Sequence, residues 1–395
     1  MLSSGILAIL GFLFWIINAR LYSTEQVGIG TTLISVMALI SSFSILGLDK
    51  GLIRYLPGSK RKNEKINTSF TIVSLMSILI SVIYLIFLKS FSPKLLFVRE
   101  NIIFLSMFIV FIVFSSLDII SENIFIAYRS SKYVLFKNII FSSVKLIAPF
   151  ILIALGAYGI FMSVGIALGI SFGFSLFFLI FKYNYSYRPI MNSSVLKKMT
   201  KFSLGNYTAG FLYGLPAMIL PVLIINKIGP RNAAYFYMGM MIASFIFVAP
   251  ITISQALLAE GSHNESALKI HLKKAVRIIS IIIIPAIIIT VFLGKYILLA
   301  FGKDYSTEGL KFLRLLALSG IFVSINYLSG TVLRVKHKIK ALISINLFSA
   351  ILILGLSYLL LTRGLLGIGF AWIIGQGLVS LIYLGVITNK RFIQF

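Results

Sequence analysis

Long apolar runs, separated by short polar stretches rich in lysine and arginine, recur along the whole chain. A helix rises 1.5 Å per residue, so about 20 apolar residues cross a hydrocarbon core of about 30 Å. The runs lack the alternation of barrel strands, and the amides of a spanning helix bond one another within lipid. The pattern predicts twelve helical spans, at residues 2–19, 28–48, 68–88, 102–125, 134–155, 159–181, 202–225, 233–258, 276–299, 312–333, 340–361 and 366–388.

Composition supports a membrane solvent. Hydrophobic residues make up 59% of the chain and charged residues 12%, with a mean hydropathy of +1.03, whereas soluble domains carry about 25% charged residues. Cysteine is absent, which excludes disulfides and thiolate metal sites. The predicted fold class is therefore an all-α integral membrane protein with twelve transmembrane helices.

The net charge of +26 reflects membrane topology rather than nucleic-acid binding. If the amino terminus is cytoplasmic, 24 of the 36 basic residues fall in inner loops, including Lys137, Lys390 and Arg391. We therefore expect a multi-pass protein of the cell membrane with both termini in the cytoplasm, and no nucleic-acid partner. The first apolar run, from Leu2 to Asn18, is predicted to be a retained helix rather than a cleaved signal peptide.

The two halves of the sequence are related by a constant offset. This offset pairs Lys132 with Lys340, Asn138 with Asn346, Gly156 with Gly364, Gly159 with Gly367, Ile160 with Ile368 and Gly169 with Gly377. A six-span repeat predicts two parallel bundles related by a pseudo-two-fold axis along the membrane normal. The expected organisation is an N-terminal lobe (1–181), a cytoplasmic connector (182–201) and a C-terminal lobe (202–395). Shared composition of glycine-rich helices is the alternative explanation.

Few charged residues fall at membrane depth. Lys145 lies about 18 Å into the fifth span, near the midplane, where a charge requires a partner or a hydrated cavity. Asp118 and Glu122 lie four residues apart on one face of the fourth span, where they are expected to meet Lys145. Two interpretations stay open for this cluster. It is either a structural ion pair or a site for ion coupling.

The seventh span is rich in residues that bend helices. It contains Gly205, Gly210, Gly214, Pro216 and Pro221. Interrupted helices often mark transport sites, so these residues are candidates for a hinge; glycine also allows close helix packing.

Sequence signals for catalysis are missing. No two acidic residues form a DxD or ExD pair, and no GxxxxGK[ST] phosphate loop occurs. The longest predicted outer loop has about 12–17 residues, too few to hold an acceptor sugar. We expect a transporter rather than an enzyme, with no cofactor and no bound metal.

Three stretches resemble the polysaccharide-unit flippases of the multidrug/oligosaccharidyl-lipid/polysaccharide exporter superfamily. Residues 18–28 resemble the junction "ARxLGxxxyG", with Tyr22-Ser23 replacing the usual Leu-Gly or Gly-Pro. Residues 47–57 resemble "GldxgliRylp". Residues 301–305 and 310–318 resemble "fGxxY…lrlLal" at the tenth span. The resemblance covers essentially the whole chain.

The resemblance implies a transporter that flips a polyprenyl-linked oligosaccharide between leaflets by alternating access. Its partners would be membrane lipids and the glycosyltransferases or polymerase of the same pathway. The family's phosphate-binding role is carried over to Arg20, Arg54 and Lys145 in this sequence. The alternative is a cation-coupled multidrug and toxin extrusion exporter, for which we expect acidic residues in the first, seventh or eighth span. Those predicted spans contain none.

Overall fold

Helices form nearly all of the chain. The structure, a computed structural model, describes residues 2–389 and the side chains of residues 7–201 and 203–389. The twelve long helices are α1 (Leu2–Leu21), α2 (Thr24–Ile45), α3 (Lys62–Ile86), α4 (Ile102–Ala127), α5 (Ser131–Ile151), α6 (Ala157–Tyr183), α7 (Ser193–Lys227), α8 (Pro230–His263), α9 (Leu268–Leu299), α10 (Leu310–Val335), α11 (Ile339–Leu359) and α12 (Gly364–Thr388). Shorter helical segments are Leu48–Tyr55, Leu88–Phe91, Pro93–Leu95, Phe97–Glu100, Ile153–Leu155, Glu265–Ala267, Lys303–Glu308 and Leu361–Arg363.

Each predicted span falls on one of these long helices. Eleven of them, α2 to α12, are long and apolar enough to cross a membrane; within α1 the described apolar segment, Leu7–Leu21, is shorter. All-helical architecture is therefore confirmed, whereas twelve crossings remain a prediction. Lys390 and Arg391, used to orient the carboxyl terminus, lie outside the described residues.

Polar caps fix where several helices begin. Ser23 and Gln26 form a capping box at the start of α2, which satisfies two amides that have no partner within the helix. The side chain of Asn101 accepts from the amide of Ile103 at the start of α4, and Asn192 caps α7 in the same way. The short polar stretches between apolar runs thus act as helix boundaries.

The surface of the protein is apolar and its interior contains many hydroxyl groups. Ile102 and Ile151 are 73% and 74% exposed. Ser77 and Ser116 are fully buried, and the hydroxyl of Ser77 donates to that of Ser116 over 2.8 Å. Contiguous exposed apolar area of this kind is unusual for a soluble monomer and suits contact with lipid.

Packing divides the described chain into two compact units. The first contains the chain up to Phe211 together with Pro221–Ala234; the second contains Leu212–Leu220 and the chain from Tyr235 onward. In the first unit, α6 packs against α2, α4 and α5, and α1 packs against α5. In the second unit, α10 packs against α9 and α12, and α11 packs against α12.

The repeat predicted from sequence has a counterpart in local backbone geometry. Positions paired by the repeat offset are called equivalent: α11 begins and ends at the positions equivalent to the bounds of α5, and α10 begins at the position equivalent to the start of α4. A residue in the left-handed region precedes α5 and α11 at equivalent positions, Arg129 at φ 54° and His337 at φ 55°. The equivalent Gly156 and Gly364 have φ values of 55° and 61°. Shared composition alone does not account for matched positions in the left-handed region, so this geometry supports the predicted repeat over these helices.

Gly159 and Gly367 occupy equivalent positions, one in each half of the chain. A Cβ atom on Gly159 would lie 2.2 Å from the carbonyl oxygen of Leu152, and one on Gly367 would lie 1.9 Å from that of Leu360. Any side chain at either position would force the helix away from the turn before it. Glycine is thus required where α6 and α12 pass their preceding turns.

Candidate functional site

Lys145 lies in the first unit between α5 and α1. Its ammonium is 4.8 Å from the ring centroid of Phe14 on α1 and 4.8 Å from that of Phe141 on α5. In the described part of the chain, no carboxylate lies within 4.0 Å of it. Aromatic faces attract a cation without neutralising it. The site therefore retains a positive charge in an apolar environment.

Asn18 lies one helical turn from Phe14 and is fully buried. Its side-chain amide donates to the carbonyl of Phe14 over 2.7 Å, so the asparagine bonds its own helix rather than a neighbouring one. Its Oδ1 atom is buried and has no hydrogen-bond partner among the described residues. A buried acceptor of this kind needs a partner such as water or a ligand.

Asp118 and Glu122 pair with Lys137, and the expected contact with Lys145 is not formed. The ammonium of Lys137 is 2.6 Å from Asp118 Oδ2 and 3.4 Å from Glu122 Oε2. Ser171 on α6 donates to the other carboxylate oxygen of Asp118 over 2.8 Å. The charge bias predicts an inner-loop position for Lys137, but α5 begins at Ser131 and buries Lys137 completely. Lys137 lies about two helical turns before Lys145 on α5, so the two acidic residues contact Lys137 and not the predicted Lys145.

A neutral network occupies the equivalent place in the second unit. Asn326 is equivalent to Asp118, and its amide donates to Gln376 Oε1 over 2.7 Å. Ser380 donates to Asn326 Oδ1 over 2.9 Å. The residue equivalent to Lys137 is Ile345, which is buried. A polar contact that joins helices is therefore common to both units; it is built from charged side chains in the first unit and from neutral ones in the second.

Arg20 and Arg54 are exposed and lie beyond opposite ends of α2. Arg20 is in the last turn of α1, and Arg54 is in the last turn of the helix Leu48–Tyr55. Helix α2 contains 22 residues and is about 33 Å long, so the structure does not bring these arginines together. Asp49, near Arg54, is 3.3 Å from Lys50, and its other carboxylate oxygen is buried without a partner among the described residues.

The candidate hinge residues lie within one continuous helix. Gly205, Gly210 and Gly214 and the buried Pro216 and Pro221 all belong to α7, which begins at Ser193 rather than at the predicted residue 202. A Cβ atom on Gly210 would meet nothing within 4 Å, and one on Gly214 would meet only the terminal methyl of Met218 at 3.7 Å. Close packing therefore does not explain these two glycines.

The connector forms hydrogen bonds with helix α3 of the first unit. Residues 184–192 are not helical. The hydroxyl of Tyr185 and the amide of Arg188 both donate to Asn67 Oδ1, over 2.5 and 3.2 Å, and Asn67 donates to the carbonyl of Ser186 over 2.9 Å. Burial raises the pKa of Tyr185, so its hydroxyl stays protonated and able to donate at physiological pH. Residues 184–192 of the predicted connector are thus bound to α3 by hydrogen bonds.

One acidic residue falls in a helix predicted to contain none. Helix α8 continues beyond residue 258 to His263, and so includes Glu260. Glu260 is exposed and lies in the last turn of the helix. Because the side chain is at the helix end, it does not supply a carboxylate at membrane depth.

Comparison with known proteins identifies the family. The sequence profile described as "Polysaccharide biosynthesis protein" matches residues 17–308. An uncharacterized membrane protein of Methanocaldococcus jannaschii is 25% identical, over 97% of this chain and 94% of its own length.

Solved structures identify the fold. The lipid II flippase MurJ in an inward closed conformation is similar with a TM-score of 0.81 and 14% identity, covering 98% of this chain and 87% of the flippase. An inward-facing multidrug resistance MATE transporter of the MOP superfamily gives a TM-score of 0.74 and 15% identity, covering 96% and 93%. The fold is therefore that of membrane transporters. With the profile covering most of its length, the chain is a multi-pass membrane protein that belongs to the polysaccharide biosynthesis family.

Proposed function

We propose that this chain flips a polyprenyl-(pyro)phosphate-linked oligosaccharide from the inner to the outer leaflet of the cell membrane, for assembly of a surface polysaccharide or glycan. The observation that carries the proposal is Lys145. It is a cation within a membrane helix of a polysaccharide biosynthesis protein, and its described neighbours are aromatic rings rather than carboxylates.

A phosphate group is the ligand that best suits this cation. A charge near the bilayer centre costs at least about 2.5 kcal/mol, and an anionic ligand offsets that cost when it binds. An ammonium and a phosphate oxygen form a charge-assisted hydrogen bond. The polyprenyl chain of such a ligand remains in lipid, so only the head group has to cross the protein.

The proposed architecture is twelve spans in two six-helix lobes related by a pseudo-two-fold axis, with the lobes alternating access to the two sides. The matched geometry of α5 and α11 supports the internal repeat. Both termini and the connector 182–201 lie in the cytoplasm in this proposal. The hinge is the middle of α7, where Gly214, Pro216 and Pro221 occur.

Arg54 and Arg20 act at different stages of the proposed path. Because α2 separates them by about 33 Å, one phosphate group cannot contact both at once. In the proposed orientation, Arg54 is on the cytoplasmic side and meets the head group first, and Arg20 is on the outer side. Glycosyltransferases on the inner side and a polymerase on the outer side are the expected neighbours in the pathway.

The alternative is a cation-coupled multidrug exporter, which the fold also accommodates. A coupling site needs a carboxylate that is able to gain and lose a cation. Asp118 is already held by Lys137 and Ser171, which weighs against that role for it. Glu122 is 36% exposed and only 3.4 Å from Lys137, so it is the acid to test under this alternative.

Transport by purified protein in vesicles distinguishes these functions. Vesicles are loaded with a fluorescent polyprenyl-pyrophosphate-linked sugar, and a membrane-impermeant quencher reports its arrival in the outer leaflet. We expect flipping with the intact protein and none in empty vesicles, and no uptake of a cationic dye under a proton or sodium gradient. Dye uptake without flipping would establish the exporter instead.

A further inference from the structure

Three tyrosines from different helices meet within the second unit. Tyr213 belongs to the segment Leu212–Leu220 of α7, Tyr327 to α10 and Tyr383 to α12. The rings of Tyr213 and Tyr327 are 5.0 Å apart at 64°. Tyr383 donates to Asn346 Oδ1 over 2.6 Å. The cluster thus places three phenol groups at one region of α10.

Arg334 is the cation of this cluster. It lies four residues after Gly330 on the same face of α10, and the hydroxyl of Tyr383 is 3.7 Å from where a Cβ on Gly330 would be. It also lies seven residues after Tyr327, about two helical turns along the same face of α10. Its side chain is half-buried.

The charge of Arg334 is not neutralised by an acidic side chain. Within the described residues, no carboxylate lies within 4.0 Å of its guanidinium. Two positions further on, Lys336 does pair with Glu265, at 2.9 Å. The acidic residue nearby is therefore already paired, and the guanidinium retains its capacity for an anion.

We propose that Arg334 and the Tyr213–Tyr327 pair form a binding site for a phosphate group. A guanidinium offers a planar fork of N–H donors that matches two phosphate oxygens. A tyrosine hydroxyl carries one hydrogen, which Tyr213 and Tyr327 can each donate to the ligand. Tyr383 donates its hydrogen to Asn346, so it forms a wall of the site and is not a donor.

This inference rests on the proposed function for the source of the ligand. A polyprenyl phosphate cargo and an anionic membrane phospholipid both present a phosphate group. The site would be a second contact for the head group, formed by the second unit, in addition to Lys145 in the first.

Binding by the purified full chain tests the proposal. The probe is a fluorescent polyprenyl monophosphate, titrated into protein in phosphatidylcholine nanodiscs. We expect Arg334→Gln to weaken binding about tenfold, and Tyr327→Phe to weaken it about threefold, because each removes donors to a charged group. Arg363→Gln, an exposed arginine of the second unit, is the matched control and should leave affinity unchanged.

Replacement by lysine separates ligand binding from a structural role. An arginine that only stabilises the carboxyl end of α10 is replaced by lysine without loss, because either charge suits the helix dipole. An arginine that holds phosphate through its planar fork of donors cannot be replaced by lysine without loss. Arg334→Lys should therefore keep the unfolding midpoint yet bind the probe about threefold more weakly. Wild-type affinity in both Arg334→Gln and Tyr327→Phe would overturn the proposal.

Competition identifies the source of the phosphate. If phosphatidylglycerol displaces the probe at equal concentration, the phosphate site is supported and its natural ligand is a membrane phospholipid. If it does not, the site is supported as a cargo site. A wild-type protein that binds the probe but flips nothing in vesicles would overturn the proposed function while leaving this phosphate site in place.

Discussion

The ammonium of Lys137 lies 2.6 Å from a carboxylate oxygen of Asp118, with the lysine side chain completely buried. A buried ion pair contributes little net stability, but removing one partner leaves an uncompensated charge. We therefore predict that Lys137→Ile destabilises the folded protein by about 3–5 kcal/mol. The measurement is the midpoint of unfolding of detergent-solubilised protein.

The second unit suggests how to restore that stability. Its equivalent positions hold Asn326 and Ile345, so the double variant Asp118→Asn with Lys137→Ile installs the same neutral pair. We expect the double variant to recover most of the loss, because no charge remains buried. Lys132→Ile, at an exposed lysine of α5, serves as the control. A double variant less stable than Lys137→Ile would contradict a mainly structural role for the pair.

Lys145→Ala should reduce flipping at least about tenfold while the protein still inserts into the membrane, because the variant loses a charge-assisted contact with phosphate. The readout is flipping in vesicles at matched protein content, and Lys132→Ala is the control on the same helix. Unchanged flipping in Lys145→Ala would remove Lys145 from the mechanism.

Gly159→Ala and Gly367→Ala should each destabilise the protein by about 1–3 kcal/mol, because a methyl group overlaps a backbone carbonyl. Gly173→Ala on α6 and Gly385→Ala on α12 are the matched controls, since a Cβ there meets nothing within 4 Å. These controls should be neutral or up to about 1 kcal/mol more stable. Equal unfolding midpoints for all four variants would refute the proposed close approach.

Gly214→Ala tests the hinge. The site has room for a methyl group, so folding should be unchanged or more stable by up to about 1 kcal/mol. If α7 bends here during transport, the stiffer helix should slow flipping severalfold. Flipping rate and unfolding midpoint are measured together, with Gly173→Ala as control. An unaltered rate would place the bend elsewhere.

The sequence predicted the helices better than their polar contacts. Span positions follow from runs of apolar residues, which any lipid-facing helix needs. The bounds of α5 and α11 match at the predicted repeat offset, and the division into two lobes stays a prediction. The predicted partner of Asp118 was wrong because the charge bias counted Lys137 with the inner loops, although the predicted span 134–155 already included it. The contact between Lys137 and Asp118 depends on which helix faces meet, and the span positions do not give that.

The tyrosine cluster could not be predicted for a related reason. Tyr213, Tyr327 and Tyr383 are far apart in sequence, and nothing in the apolar pattern indicates that three helices direct them to one place. Roles that depend on which helix faces meet need tertiary contacts, which periodicity does not supply.

The segment Leu212–Leu220 of α7 packs with the second compact unit, whereas the residues of α7 on either side of it pack with the first. A gene divided at the connector would therefore yield a carboxyl-terminal fragment that holds all of the second unit together with Pro221–Ala234 of the first. The amino-terminal fragment would lack that segment of its own unit, so it should express as stable protein only when the other fragment is produced with it. A single cut in the chain therefore cannot separate the two packing units.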